Sequence, residues 1–126
     1  MLWEIAVVIA MTMLKQGELN AGLATLLAFD TYRRINEFCD LTVFDAAIAG
    51  DSRLGTSSIS TSMALRLRET KTGRNQFVQV KRESVSQLIT QHVAHRGGHE
   101  LLFQGLTDWR YRATLHSTLQ QLQLDN

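Results

Sequence analysis

Between Leu65 and Val80 the chain alternates with a period of two, and on either side it does not. That switch limits the possible folds more than any other feature. Leu65 and Leu67 alternate with Arg66 and Arg68. The run Lys71-Thr72-Gly73-Arg74-Asn75 supplies turn residues, and Val78 and Val80 then alternate with Phe77 and Gln79. Successive side chains of a strand point to opposite faces, so this pattern predicts a β-hairpin with a connection of about five residues.

The flanking segments repeat at three and four residues instead. Residues 3–15 predict a helix that closes near Gln16-Gly17, where glycine can end it. A second helix is expected from Leu19 or Asn20 to about Phe29. Leu23, Leu26, Leu27 and Asp30 carry its repeat, and Ala24 and Ala28 allow close packing. Asp30-Thr31 reads as a break and N-cap pair that starts a third helix near Tyr32, puts Arg34 in its first turn and ends around Leu41 or Thr42. Residues 50–62, dominated by Gly, Ser, Thr and Asp, predict a polar loop. After the hairpin, Ser84-Val85-Ser86-Gln87 has the spacing of a capping box. Val85, Leu88, Ile89, His92 and Val93 mark one face of the next helix, which Gly97-Gly98 is expected to stop. Thr107 can cap a last helix striped by Tyr111, Leu115, Leu119 and Leu122. Helices, then a hairpin, then helices predict an α+β class: a mainly helical domain with a small antiparallel sheet.

A length of 126 residues suits one domain with a single core, and 44% hydrophobic against 20% charged residues excludes a disordered chain. The net charge of +1 conceals an asymmetry. Residues 1–51 hold three basic and seven acidic side chains, whereas residues 66–82 hold six basic and one acidic. Arg66, Arg68, Lys71, Arg74, Lys81 and Arg82 are therefore the candidate phosphate-facing surface, the plain alternative being a solvated hairpin face. The single cysteine, Cys39, cannot form an intramolecular disulfide, which suits an intracellular compartment. Leu2 to Leu14 is apolar but is interrupted by Glu4 and too short to span a bilayer, so a buried helix is expected and no membrane partner.

Arg34 is the first candidate for chemistry. Attack on a DNA phosphodiester builds negative charge on the non-bridging oxygens, and a planar guanidinium can hold two of them at once. In the first turn of a helix it would have amide ends behind it. The alternative is a surface arginine pairing with Glu37 or Asp30. Arg34, Ile35, Asn36, Glu37, Phe38 and Leu41, with Asp45 four residues further on, resemble the first arginine motif of the tyrosine recombinases, the phage-integrase family. Arg33 departs from that pattern, which usually has an apolar residue there. Lys71-Thr72-Gly73, 37 residues after Arg34, is similar to the family's hairpin lysine motif. The resemblance covers residues 3–124 and implies that Arg34 binds the scissile phosphate and that Glu37 supports the site. It further implies that Lys71 is a general acid protonating a leaving 5′-oxygen. A turn lysine that only keeps the hairpin soluble is the alternative for Lys71.

The remaining candidates are weaker. His92, His95, His99 and His116 with Cys39 lack the paired knuckles of structural zinc, so no metal is expected. His92-Val93-Ala94-His95-Arg96 does not match the family's second motif, His-x-x-Arg, because Arg96 follows His92 by four residues and His95 by one. Tyr111 lies on an apolar stripe, where a core tyrosine is expected rather than a nucleophile. The second arginine motif and the nucleophilic tyrosine are therefore expected to be absent, leaving residues 1–126 as a single partial recombinase-like catalytic domain. The resemblance implies double-stranded DNA as partner, assembly of copies on it, location with DNA (the nucleus in a eukaryote), and chemistry without metal or nucleotide cofactor. This chain would bind DNA weakly and not cleave it. The rival reading is a non-enzymatic helical interaction module, with the helix stripes near Ile89 and Leu115 as its partner surfaces.

Overall fold

The computed structural model describes residues 2–47, 63–70 and 73–122. Helix α1 (Trp3–Lys15) buries Ala6, Ile9, Ala10 and Met13, which fall on one face at helical spacing. It ends as expected. Gly17, at φ 83°, lets the Glu18 amide donate to the Met13 carbonyl (2.9 Å) and its own amide to Leu14 (3.1 Å), the paired bonds that satisfy a helix's last carbonyls. Helix α2 (Leu19–Thr31) is buried along most of its length, because its sequence offers almost no polar face to turn outward. A Cβ on Gly22 would lie 3.0 Å from the Ala10 carbonyl oxygen and 3.1 Å from Leu14 Cδ2. Absence of a side chain there lets α1 and α2 approach.

The sheet is three-stranded and antiparallel in the order β1-β2-β3, with β1 at Ala46–Ala47, β2 at Ala64–Thr70 and β3 at Gly73–Gln79. Ala46 pairs with Leu65, Leu65 with Val78, and Thr70 with Gly73. The alternating pattern does form the two strands of a hairpin. Leu65 and Leu67 are in the core beside Met63 and Val80, while Phe77 is exposed. The connection is shorter than expected, because Gly73, Arg74 and Gln76 pair in the ladder instead of turning. Lys71 and Thr72, between the strands, and the expected loop at 50–62 lie outside the described residues.

Helix α3 (Glu83–Val93) presents Val85 and Ile89 to the core, and α4 (Asp108–Leu122) presents Tyr111 and Thr118. Between them, residues 97–106 lie against 41–44. The Val43 amide donates to the Glu100 carbonyl (2.8 Å), Phe44 to Gly98 (3.0 Å) and Leu102 to Leu41 (2.7 Å), which carries Leu102 and Phe103 into the core. Thr107 caps α4 by accepting the Arg110 amide at 3.1 Å.

Four local expectations are corrected. No third helix runs from Tyr32 to Leu41. Tyr32 takes the left-handed conformation (φ 58°) and the Arg33 amide returns to the Ala28 carbonyl (3.2 Å), so α2 is closed and only a short 3-10 turn, Ile35–Glu37, comes after it. Asp30 and Thr31 are the last residues of α2 and do not cap that turn. The Ser84–Gln87 capping box does not form, since α3 already begins at Glu83 and carries no cap from its own flank. It ends at Val93, four residues before Gly97, where His95 adopts φ 63°.

Candidate nucleic-acid interface

Arg34 stands in extended conformation (φ −86°, ψ 148°) just before the 3-10 turn. It is not in the first turn of a helix, and the aligned helix amides expected behind it do not form. What fixes it is Glu37. One carboxylate oxygen accepts the Arg34 backbone N–H at 2.9 Å, and the other lies 3.9 Å from the Arg33 guanidinium. Glu37 therefore holds the backbone of the motif and engages the neighbouring arginine, not the Arg34 side chain. Among the described residues the exposed Arg34 guanidinium has no ion pair or hydrogen bond.

Arg34 lines an open groove of about 460 Å³ between the end of α2 and the start of α4. Ala28, Phe29, Ile35, Tyr111 and Leu115 supply its apolar part, and Arg33, Arg34 and Arg112 its cationic part. Arg112 pairs with Asp108 at 3.0 Å, but both side chains are well exposed, so the pair is labile. Arg33 faces Glu37 and Arg112 pairs with Asp108, so the positive bias of this groove comes from Arg34. Sequence reasoning missed Arg112. The Asp108–Arg112 spacing of four residues is an ordinary surface-helix signal, and only the fold brings it opposite Arg34.

The other basic candidates divide. Arg66 donates through Nε (3.0 Å) and Nη2 (2.8 Å) to one oxygen of Asp45, which is wholly buried and whose other oxygen accepts the Thr42 amide at 2.8 Å. Arg82 donates to Asp30, also wholly buried, at 3.0 Å and stacks over Trp3 with its guanidinium carbon 3.8 Å from the ring centroid. Both arginines are engaged in holding the fold. Lys81 is exposed, its Nζ 4.8 Å from the centre of the Tyr32 ring. Lys71 and the side chains of Arg68 and Arg74 lie outside the described residues.

Tyr111 sits in the core. Its hydroxyl is 2.6 Å from Thr25 Oγ1, and burial raises its pKa. Burial likewise raises the Cys39 thiol, with Asp40 adding to the effect. His92 is half-buried against Phe103 and the Leu102 carbonyl. No three His, Cys, Asp or Glu side chains converge as a metal site among the described residues, and none of the described helices is long and apolar enough to cross a membrane. Comparison with protein-family models, curated proteins and solved structures gives no match.

Proposed function

We propose that this chain binds the sugar-phosphate backbone of double-stranded DNA through Arg34, as a recombinase-like domain that contributes a phosphate contact and does not itself cut. The observation that carries this reading is the unpaired, exposed Arg34 guanidinium on a groove that also holds Arg33 and Arg112. Leaving a cation without a partner while its backbone is pinned by Glu37 keeps the side chain available for an anion. The resemblance of Arg34–Leu41 and Lys71–Gly73 to recombinase motifs supplies the substrate class, and Glu37 has a position suited to the supporting role the resemblance implies. Tyr111 is ill-placed for nucleophilic attack, with its hydroxyl buried against Thr25.

Fluorescence anisotropy with a labelled duplex at low salt tests this reading. Affinity should fall steeply as salt rises, and Arg34→Ala should weaken binding and lower the salt slope by about one. Unchanged duplex affinity in Arg34→Ala would reject it.

A second reading, a helical interaction module, is favoured by one observation. Leu2, just ahead of α1, and Ile5, Val8 and Met11 within it recur every three residues and remain exposed. Failure of the unmutated chain to bind any duplex at low salt would favour that module.

A further inference from the structure

Where α2 stops, the domain carries an aromatic side chain that folding does not use. Tyr32 has φ 58°, in the left-handed region that a bulky residue rarely adopts. Its side chain is 84% exposed, so burial does not offset that conformation. Glycine would serve the same helix ending without conflict. The ring is nonetheless anchored. Lys81 Nζ lies 4.8 Å from its centre, and the Lys81 amide donates to Asp30, two residues before Tyr32, at 2.6 Å. Arg33 and Arg34 come directly after Tyr32 in the chain, and Arg82 comes after Lys81, its guanidinium partly exposed beside Asp30. Lys81 is thus the cation in contact with the ring, and Arg33 and Arg34 are its neighbours along the chain.

Such a combination suits a particular form of nucleic acid. Cations hold the backbone of any strand, but an exposed ring gains stacking energy only from a base that is not already stacked in a duplex. We propose that Tyr32 is a stacking platform for an unpaired base of a DNA strand whose phosphates are held by Arg34 and Lys81. The surface would then favour DNA with an opened or single-stranded segment over continuous duplex. This inference rests on the DNA-backbone reading and goes beyond it in naming the form of DNA and a further contact.

The test compares wild type, Tyr32→Gly, Tyr32→Phe and Arg34→Ala for binding to a labelled single-stranded oligonucleotide and to the matching duplex. Tyr32→Gly is the informative variant, because glycine suits a φ of 58° and its melting temperature should not drop. It is expected to weaken single-strand binding about ten-fold while leaving duplex binding unchanged. Tyr32→Phe keeps the ring and should bind as wild type does. Equal single-strand affinity of Tyr32→Gly and wild type overturns the stacking role. If Arg34→Ala still weakens both DNAs in that case, the phosphate contact stands alone. If it changes neither, both readings fall.

Discussion

The buried carboxylate of Asp30 lies 3.0 Å from the Arg82 guanidinium, joining the end of α2 to the start of α3. The ion pair is the smaller part of that junction. The same carboxylate accepts the backbone amides of Lys81 at 2.6 Å and Arg82 at 3.1 Å, just ahead of α3. Asp30 thereby fixes, from another element, the segment that leads into α3, although the amides it accepts lie ahead of the helix's first turn. It also places Lys81 over Tyr32, so the integrity of the core and the arrangement of the cationic surface depend on one side chain.

Asp30→Ala is accordingly expected to cost about 2–3 kcal/mol, since it leaves two amides without their acceptor. Arg82 is 42% exposed and can return to solvent, so its charge adds little to that loss. The melting temperature should fall on the order of 10 °C in a chain of this size. Asp30→Asn keeps one acceptor oxygen and should fall between the two. Thermal denaturation followed by circular dichroism reads the effect, and a melting temperature for Asp30→Ala equal to wild type would refute the anchoring role of Asp30.

Thr25 and Tyr111 allow a separate test of whether the tyrosine is structural. The Thr25 hydroxyl donates to the Ala21 carbonyl at 2.8 Å, so the 2.6 Å contact with Tyr111 is one in which the phenol donates. Tyr111→Phe removes that donor without opening a cavity and should cost about 1 kcal/mol. DNA affinity should not move. Loss of DNA binding in a variant that melts like wild type would show that Tyr111 acts at the interface instead.

The periodic parts of the fold were legible in the sequence, and the parts that depend on distant partners were not. Alternation marked the two strands of the hairpin, and glycine marked the end of α1, because both signals are local. Asp30 misled for a physical reason. Next to Thr31 it has the composition of a local cap, but its carboxylate is turned into the core toward amides 51 and 52 residues away. Arg66 misled similarly, since a basic residue in a strand gives no sign that Asp45 lies buried beside it. Tyr32 carries no turn signal at all, yet it performs the left-handed ending usually left to glycine. At the candidate site, R-x-x-E singled out Arg34 and Glu37, but the groove required Arg112 from α4, whose proximity only tertiary packing creates.

His92 is expected to make the fold sensitive to mild acid. Its Nε2 is 2.7 Å from the Leu102 carbonyl oxygen, which can only accept, so the neutral ring carries its proton on Nε2. Arg96 Nη1 stands 3.2 Å from that nitrogen and donates to the same carbonyl, while the ring stacks on buried Phe103 at 5.7 Å. Burial is the main cause that lowers the His92 pKa. The Leu102 bond opposes that shift, and the Arg96 charge adds to it. Because the pKa is lower in the folded chain, the unfolded chain takes up the proton first. Full stability is therefore present above about pH 6.5, and it is lost as pH falls from there through the folded-state pKa. Glu100, whose carboxylate is held below its ordinary pKa chiefly by the Gly97 amide, has the same sign but acts only below about pH 4.5. The two windows are separable. Melting temperature should decline between about pH 7 and pH 5 in wild type and decline less in His92→Gln, which can still donate to Leu102. Parallel declines in the two proteins would mean that another group takes up the proton.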